Sequence, residues 1–172
     1  VKDEADIIEY CFAEASKWAH KIFVYDNGST DGTWEIVNKM AQSNSVIVPY
    51  KQEALPFRDE LRARVFNHYR HLASDGDWWC FRLDSDEFYI DDPRDFLAKV
   101  PKKCHVVAKA SYDYRLTYED VGAFTFEDRC PHDAFQLKYY NPFLYTEKRF
   151  FKHRPRLQWR NDHPFPTHMG II

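Results

Sequence analysis

The sequence predicts an α/β domain, with a mainly parallel sheet flanked by helices and an irregular, aromatic-rich C-terminal part. Three observations predict it. Short apolar runs alternate with longer stretches of helical periodicity through residue 110, the order that builds a parallel sheet covered on both faces. The chain has 172 residues, 44% of them hydrophobic and 17% aromatic, which suits one domain with a real core. Two of the apolar runs end in acid: Lys21-Ile22-Phe23-Val24-Tyr25 leads into Asp26, and Trp78-Trp79-Cys80-Phe81-Arg82-Leu83 leads into Asp84-Ser85-Asp86. Ligands of open α/β sheets bind beyond the carboxyl ends of strands, and both acidic motifs fall there.

The elements follow in order. Residues 4 to 19 set Ile7, Ile8, Cys11, Phe12, Ala15 and Trp18 on one helical face, an amphipathic helix. Residues 21 to 25 form a strand. Asp31 or Thr30 caps a helix that buries Trp34, Val37 and Met40 and ends at about residue 41. Residues 45 to 48 are a second strand, ended by Pro49, which lacks a backbone N–H. A helix over residues 57 to 73 turns Leu61, Val65, Tyr69 and Leu72 inward. Residues 78 to 83 are the strand that precedes the acidic pair. Asp92 followed by Pro93 reads as an N-cap with proline at the first helical position, opening a helix to about residue 100. Residues 104 to 110 form another strand. Beyond residue 110 periodicity fades, aromatics and prolines increase, and residues 145 to 152 read as a strand. There is no internal repeat, and one domain spans residues 1–172.

Bulk properties exclude several classes. The formal net charge of −3 gives no general reason to bind nucleic acid. Mean hydropathy is −0.65, and no apolar run approaches the ~20 residues of a membrane span. No signal-peptide pattern opens the chain. Cys11, Cys80, Cys104 and Cys130 form no C-x-x-C pair and read as reduced thiols, Cys11 and Cys80 in apolar stretches, which points to an intracellular, cytoplasmic protein. Val1-Lys2-Asp3-Glu4-Ala5-Asp6 reads as a strand-to-helix turn, so a strand is expected to precede it outside this chain.

Each motif carries a functional and a bland reading. On an extended segment residues i and i+2 point the same way, so Asp84 and Asp86 would meet one cation. Paired carboxylates are costly to desolvate, and Mg²⁺ or Mn²⁺ prefers their oxygens and can bridge them to a diphosphate. The alternative is a solvated acidic turn. In Asp26-Asn27-Gly28-Ser29-Thr30-Asp31-Gly32-Thr33 the glycines permit tight turns, and amides opening the next helix could face an anion. Asp26 can accept from an imide or a ribose hydroxyl. An ordinary strand-to-helix loop has the same composition. It is not a P-loop, because no lysine follows the glycine. It is not an EF-hand, since ligand positions three and five are Gly28 and Thr30.

The stretch Ile22-Phe23-Val24-Tyr25-Asp26-Asn27-Gly28-Ser29-Thr30-Asp31-Gly32-Thr33 closely resembles the hallmark of family 2 glycosyltransferases. Trp78 through Phe88 resembles their metal-binding D-x-D strand, and Val1 through Ile8 their first loop. The resemblance covers the first hundred residues in the family's order. It implies the GT-A fold of nucleotide-diphospho-sugar transferases, with residues 1–110 as a nucleotide-binding half and 111–172 as an acceptor-side half. It implies a metal-dependent, inverting glycosyltransferase that moves a sugar from a nucleotide diphosphate donor, UDP-linked by family prior, to an acceptor hydroxyl, as in polysaccharide biosynthesis. Asp26 would contact the base of the nucleotide, with Lys2, Asp3 and Glu4 beside it and Asn27 adjoining. Asp84 would lie near ribose and metal, and Asp86 would be the firmer ligand of Mn²⁺ or Mg²⁺. His163 is the candidate third ligand, with His168 second. Flanking segments outside this chain could tether it to a membrane.

An inverting enzyme needs a carboxylate base at the acceptor hydroxyl. Candidates are Asp113, Glu119, Asp120, Glu127 and Asp128; Glu119-Asp120 and Glu127-Asp128 echo the family's E-D pair, which singles out Asp120 and Asp128. Each also reads as a solvated loop acid. The tail aromatics, among them Tyr112, Tyr114, Tyr118, Phe124, Phe126, Tyr139, Tyr140, Phe143, Tyr145 and Trp159, could stack on an acceptor sugar or simply pack. Arg149, Lys152, Arg154, Arg156 and Arg160 could meet an anionic acceptor or form a solvated face. Two alternatives to the transferase stay open: a sugar nucleotidyltransferase, and a non-catalytic carbohydrate- or nucleotide-binding module on the same fold.

Overall fold

The strand β1 (Ile22–Asp26) is covered on both faces, and its alternation decides what lies on each. The computed structural model of the chain describes residues 1–115, 117–121, 139–142, 146–160, 163 and 166. Ile22 and Val24 face a core made by α1 (Ile8–Ala15), α2 (Thr33–Ser43) and β2 (Ile47–Gln52). In α1 the buried residues are Ile8, Cys11, Phe12 and Ala15, the i, i+3, i+4, i+7 stripe its sequence spelled. Val37 of α2 is fully buried against them, with Trp34 and Met40 packed partly buried at the edge. On the other face Phe23 stacks on Tyr69 at 4.1 Å and on Trp79 at 5.5 Å between ring centroids.

β1 and β2 pair in parallel from Ile22↔Ile47 to Asp26↔Gln52. Pro49 was expected to end the second strand, but β2 runs through it. The register jumps from Val24↔Pro49 to Tyr25↔Lys51, so β2 carries an extra residue where proline cannot donate. An edge strand with a bulge accommodates proline in this way.

The second core lies under α3 (Glu60–Tyr69), which ends in a 3-10 turn over Arg70–Leu72. Phe66 sits at its centre, edge-on to Trp79 at 5.0 Å and to Phe151 at 5.2 Å, and Ala63, Leu157 and Trp159 complete the cluster. The buried face is therefore Leu61, Ala63 and Phe66: of the residues expected inward, Leu61 is buried and Tyr69 packs half-buried on Phe23, whereas Val65 is only half-buried and Leu72 is exposed. The tighter final turn rotates Leu72 outward, where it is 58% exposed. Asn67 clamps the C-terminal segment onto α3, donating to the Trp159 carbonyl at 2.7 Å and accepting from its amide at 3.3 Å.

Phe151 and its neighbours belong to a three-stranded antiparallel sheet of order β3-β7-β4, with β3 Trp78–Cys80, β4 Val106–Lys109 and β7 Glu147–Lys152. Tyr112–Tyr114 (β5) and Tyr140–Pro142 (β6) form a separate antiparallel pair. Two short helices complete the elements among the described residues: α4 (Pro93–Leu97) and α5 (Tyr118–Val121). As expected, the Asp92 side chain caps α4, accepting from the Arg94 amide at 2.8 Å, with Pro93 in the first turn. The chain is thus mixed α/β, but the expectation of a mainly parallel sheet holds only for β1–β2 among the described residues. The reason is β7: it arrives from the less regular part of the chain and pairs antiparallel with both β3 and β4, a connection that strand–helix alternation does not encode.

Gly28 ties the β1 loop to the segment after β2. Its φ is +76°, and a Cβ there would lie 2.6 Å from Ala54 Cβ and 2.9 Å from Ala54 Cα. Gly32 has φ +97° but open space around it. Gly28→Ala should therefore cost about 2–4 kcal/mol, strain plus overpacking. Gly32→Ala should cost about 1–2 kcal/mol, strain alone. Urea unfolding of the two variants reads the difference; equal losses would mean the Ala54 contact is unimportant.

Candidate functional site

The loop after β1 and the loop before α1 are laced together side chain to backbone. The Asp3 amide donates to Ser29 Oγ at 2.9 Å, the Glu4 amide to Thr33 Oγ1 at 2.8 Å and the Ala5 amide to Asp31 Oδ2 at 2.9 Å. In return the Thr30 amide donates to Asp3 Oδ1 at 2.8 Å. The other Asp31 oxygen takes the Thr33 amide at 3.0 Å and its hydroxyl at 2.6 Å, which holds its carboxyl below the usual range. So Ser29, Thr30, Asp31 and Thr33 are spent on holding the first loop. Asp31 braces the first turn of α2 from one residue before its N-cap, Gly32. Asp3 has φ +50°, an uncommon left-handed conformation that its side-chain bonds secure.

Asp26 ends β1 inside this frame and is 0% exposed. Its Oδ1 accepts from the Ser29 amide at 2.7 Å. Its Oδ2 is buried with no hydrogen-bond partner, a costly state for a carboxylate oxygen. Asn27 is also buried, but its Oδ1 accepts from the Leu55 amide at 3.0 Å and its amide donates to the Val1 carbonyl at 2.9 Å. It shapes the wall and has little left to offer a ligand through those atoms. Lys2 is exposed.

The second acidic motif differs from its expected geometry. β3 stops at Cys80, and Asp84-Ser85-Asp86-Glu87 is a β-turn closed by the Glu87 amide on the Asp84 carbonyl at 3.1 Å. The same-face rule for an extended segment therefore does not apply. Asp84 is half-buried, Ser85 buried and Asp86 exposed. The Ser85 side chain lies beside the Glu4 carboxyl, next to the first loop. Burial pushes the Glu4 carboxyl up, the Ser85 side chain pulls it back, and the Asp86 charge adds to the rise. Beneath them the Cys11 thiol is pushed up to about 12, first by burial and then by Asp86, Glu4, Glu87 and Asp84. The charges of Asp86, Glu4, Glu87 and Asp84 thus all reach the Cys11 thiol.

An ion network fixes the turn from behind. Arg149, 0% exposed in β7, donates to the Arg82 carbonyl at 3.0 Å and pairs with Glu87 at 2.8 Å and Glu147 at 2.8 Å. Lys109 pairs with Glu87. Arg82 bonds Asp84 through Nε at 2.7 Å and lies 3.4 Å from Glu147. The basic stretch is therefore not a continuous face: Arg149 is inside, Arg154 pairs with Asp75 at 2.9 Å, and Lys152 lies 4.6 Å over the Trp78 ring. Ser85, Arg82, Glu87 and Glu147 were not singled out as site residues by sequence, and Arg149, expected to meet an anionic acceptor or form a solvated face, is buried instead; a charge in a strand gives no signal of the partner it will find inside.

The other expected residues are placed as follows. Asp120 is buried and accepts from the Thr117 amide at 2.9 Å and hydroxyl at 2.6 Å, bracing the start of α5. His163 is half-buried; its carbonyl accepts from Trp159 Nε1 at 2.7 Å. Among the described residues, no three His, Cys, Asp or Glu side chains stand close enough to hold a metal ion. Trp159 is core, whereas Tyr112, Tyr139 and Tyr140 are exposed. Glu127, Asp128, Cys130, His168 and the aromatics Phe124, Phe126, Phe143 and Tyr145 lie outside the described residues. Cys11, Cys80 and Cys104 are free thiols. No described helix is long and apolar enough to cross a membrane. An open cleft of about 180 Å³ between α1 and residues 87–92 is lined by Cys11, Trp18, Phe88 and Tyr89, among others. Glu87 reaches it, and Asp26, Asp84 and Asp86 do not.

No protein-family model matches this chain, and no curated protein or solved structure matches it.

The raised Glu4 carboxyl has a pH consequence. The folded state holds that proton more tightly than the unfolded chain, so its contribution is fully present below the unfolded pKa, about 4.3, and is lost as pH rises through the folded value. Glu4→Gln keeps an acceptor for Ser85 without the charge. It should be more stable than wild type near pH 7, with the gap closing toward about pH 4. Urea midpoints across that range measure it; a constant gap would contradict the assignment.

Proposed function

We propose that this chain is a metal-dependent glycosyltransferase, taking a sugar from a nucleotide diphosphate, UDP first among them, to an acceptor hydroxyl. The observation that carries the proposal is Asp26: a fully buried carboxylate at the carboxyl end of β1 whose Oδ2 lacks a partner. An imide N–H or ribose hydroxyl would supply the missing donor. A magnesium-type ion can be held by one or two carboxylates plus substrate phosphates rather than by a full protein cage, and Asp84 and Asp86 are our candidates, with Asp84 having to leave Arg82. When bound, the cation would offset charge developing on the leaving diphosphate.

The chain's own residues would divide the work. Asp26 orients the nucleoside. The laced loops keep water from its buried oxygen and hold Glu4 beside the D-S-D turn. Asp84 and Asp86 carry the cation. Asp120 and Asp128 are the candidates for the base that accepts the proton of the acceptor hydroxyl. Asp120 would have to leave its bonds to Thr117 for that task. The Asp120 carboxylate, already accepting from the Thr117 amide and hydroxyl, favours as second reading a carbohydrate- or nucleotide-binding module without transfer activity.

Calorimetric titration of UDP, with and without Mn²⁺, tests the proposal. Wild type should bind in a Mn²⁺-dependent way. Asp26→Asn should lose about tenfold to a hundredfold in affinity, the worth of a hydrogen bond to a charged group. Asp86→Ala should abolish the Mn²⁺ dependence. Binding that ignores Mn²⁺ would favour the module, and no binding of uridine, guanosine or thymidine diphosphate by the folded protein would sink both readings.

A further inference from the structure

The segment after β7 is fastened to α3, to the 3-10 turn that ends it and to the loop before β3. The His153 amide donates to the Asp77 carbonyl at 2.6 Å, and the Gly76 amide to the His153 carbonyl at 3.0 Å. Arg154 pairs with Asp75 at 2.9 Å, Arg70 donates to the Leu157 carbonyl, and Asn67 brackets Trp159 at 2.7 and 3.3 Å. Under these ties Leu157 and Trp159 are buried in one cluster with Phe66. His153 is buried too, its ring centroid 6.2 Å from that of Phe66. We propose that residues 153–160 are a strap that acid releases from α3, with the His153 ring as its latch.

A protonated imidazole carries a hydrogen on both ring nitrogens. His153 Nδ1 is buried and has no hydrogen-bond partner. A hydrogen there would be a buried donor without an acceptor, in addition to the cost of burying the charge. The charged groups around the ring do not remove that cost. Arg70 and Arg154 repel an imidazolium, whereas Asp77 and Asp75 attract it. Both acids are already engaged, Asp77 by the Ser74 amide at 2.7 Å and Asp75 by Arg154. Burial first, and then Arg70, hold the His153 pKa below its ordinary value against the pull of Asp77 and Asp75.

Above a pH of about 6.5 the ring is neutral whether the strap is closed or open, and the ties hold. Below it the freed ring takes a proton that the closed ring resists, so opening is favoured progressively until pH reaches the lowered value of the closed state. At about pH 5.5 the open fraction rises by up to about tenfold. Opening uncovers Leu157 and Trp159 and the Phe66 cluster they complete. The core beneath α1 and α2 contains no residue of the strap, so the release is local. The latch stands apart from the glycosyl-transfer reading and needs no ligand.

Amide hydrogen exchange at about pH 7.5 and about pH 5.5, read as protection factors, tests the latch. In wild type the amides of Gly76, Leu157 and Trp159 should lose about fivefold to tenfold in protection at the lower pH, while the β1 amides keep theirs. His153→Phe keeps a ring against Phe66 and takes no proton, so its protection should be the same at both pH values. His153→Gln, which also does not titrate, carries the comparison if the phenylalanine variant does not fold. His68→Gln and His71→Gln change exposed histidines of α3 and its final turn, and they should lose protection as wild type does. Unchanged wild-type protection, an equal loss in β1, or the wild-type loss persisting in a folded His153 variant overturns the latch.

Discussion

Three successive backbone amides, those of Asp3, Glu4 and Ala5, find their acceptors in the side chains of Ser29, Thr33 and Asp31. Only the Glu4 bond is part-buried and the other two are exposed, but the three together tie the first loop to the loop that follows β1. That constraint fixes the first loop over the end of the strand. It buries Asp26 and brings Glu4 to the turn at Ser85. Without the lacing, Asp26 would be a solvated residue at a strand end.

The second support is electrostatic. The D-S-D-E turn lies beyond the end of β3, where ladder bonds no longer hold it. Arg149 replaces them from the neighbouring strand, bonding a carbonyl and two carboxylates at once. A buried guanidinium is expensive unless paired; Arg149 is paired through both terminal nitrogens, and its Nε has no partner. The pairing costs the turn its freedom. The same economy explains Glu4, whose carboxyl is raised by its own burial: like charges are gathered at some expense in stability, as functional sites commonly are.

Periodicity made the first half of the fold legible. The stripe of α1, the alternation of β1 and the Asp92-Pro93 cap follow from residue spacing alone. What was not legible depends on partners distant in sequence. β7 sets the antiparallel sheet, and nothing in Glu147-Lys148-Arg149-Phe150-Phe151-Lys152 announces which strands it will join. The inward turn of α3 was misassigned because Ala63 and Phe66 are selected by Trp79, Phe151 and Trp159, not by helical spacing. Of the candidate site, Asp26, Asp84 and Asp86 stand out in sequence as acids at the ends of apolar runs. The roles of Ser29, Thr30 and Asp31 could not, because a side chain that accepts from a backbone amide 26 residues away looks in sequence like any turn residue. Pro49 misled for the opposite reason: a strong local rule gave way to a bulge.

The central claim is that the ends of two strands form one cation-and-nucleotide site. The most direct measurement is paramagnetic broadening in amide spectra of the labelled protein with UDP, comparing Mn²⁺ with Mg²⁺. The account predicts that Mn²⁺ selectively broadens the amides of Glu4, Asn27, Ser85 and Asp86 together. Broadening at Ser85 and Asp86 that spares Glu4 and Asn27, or at neither pair, would contradict it.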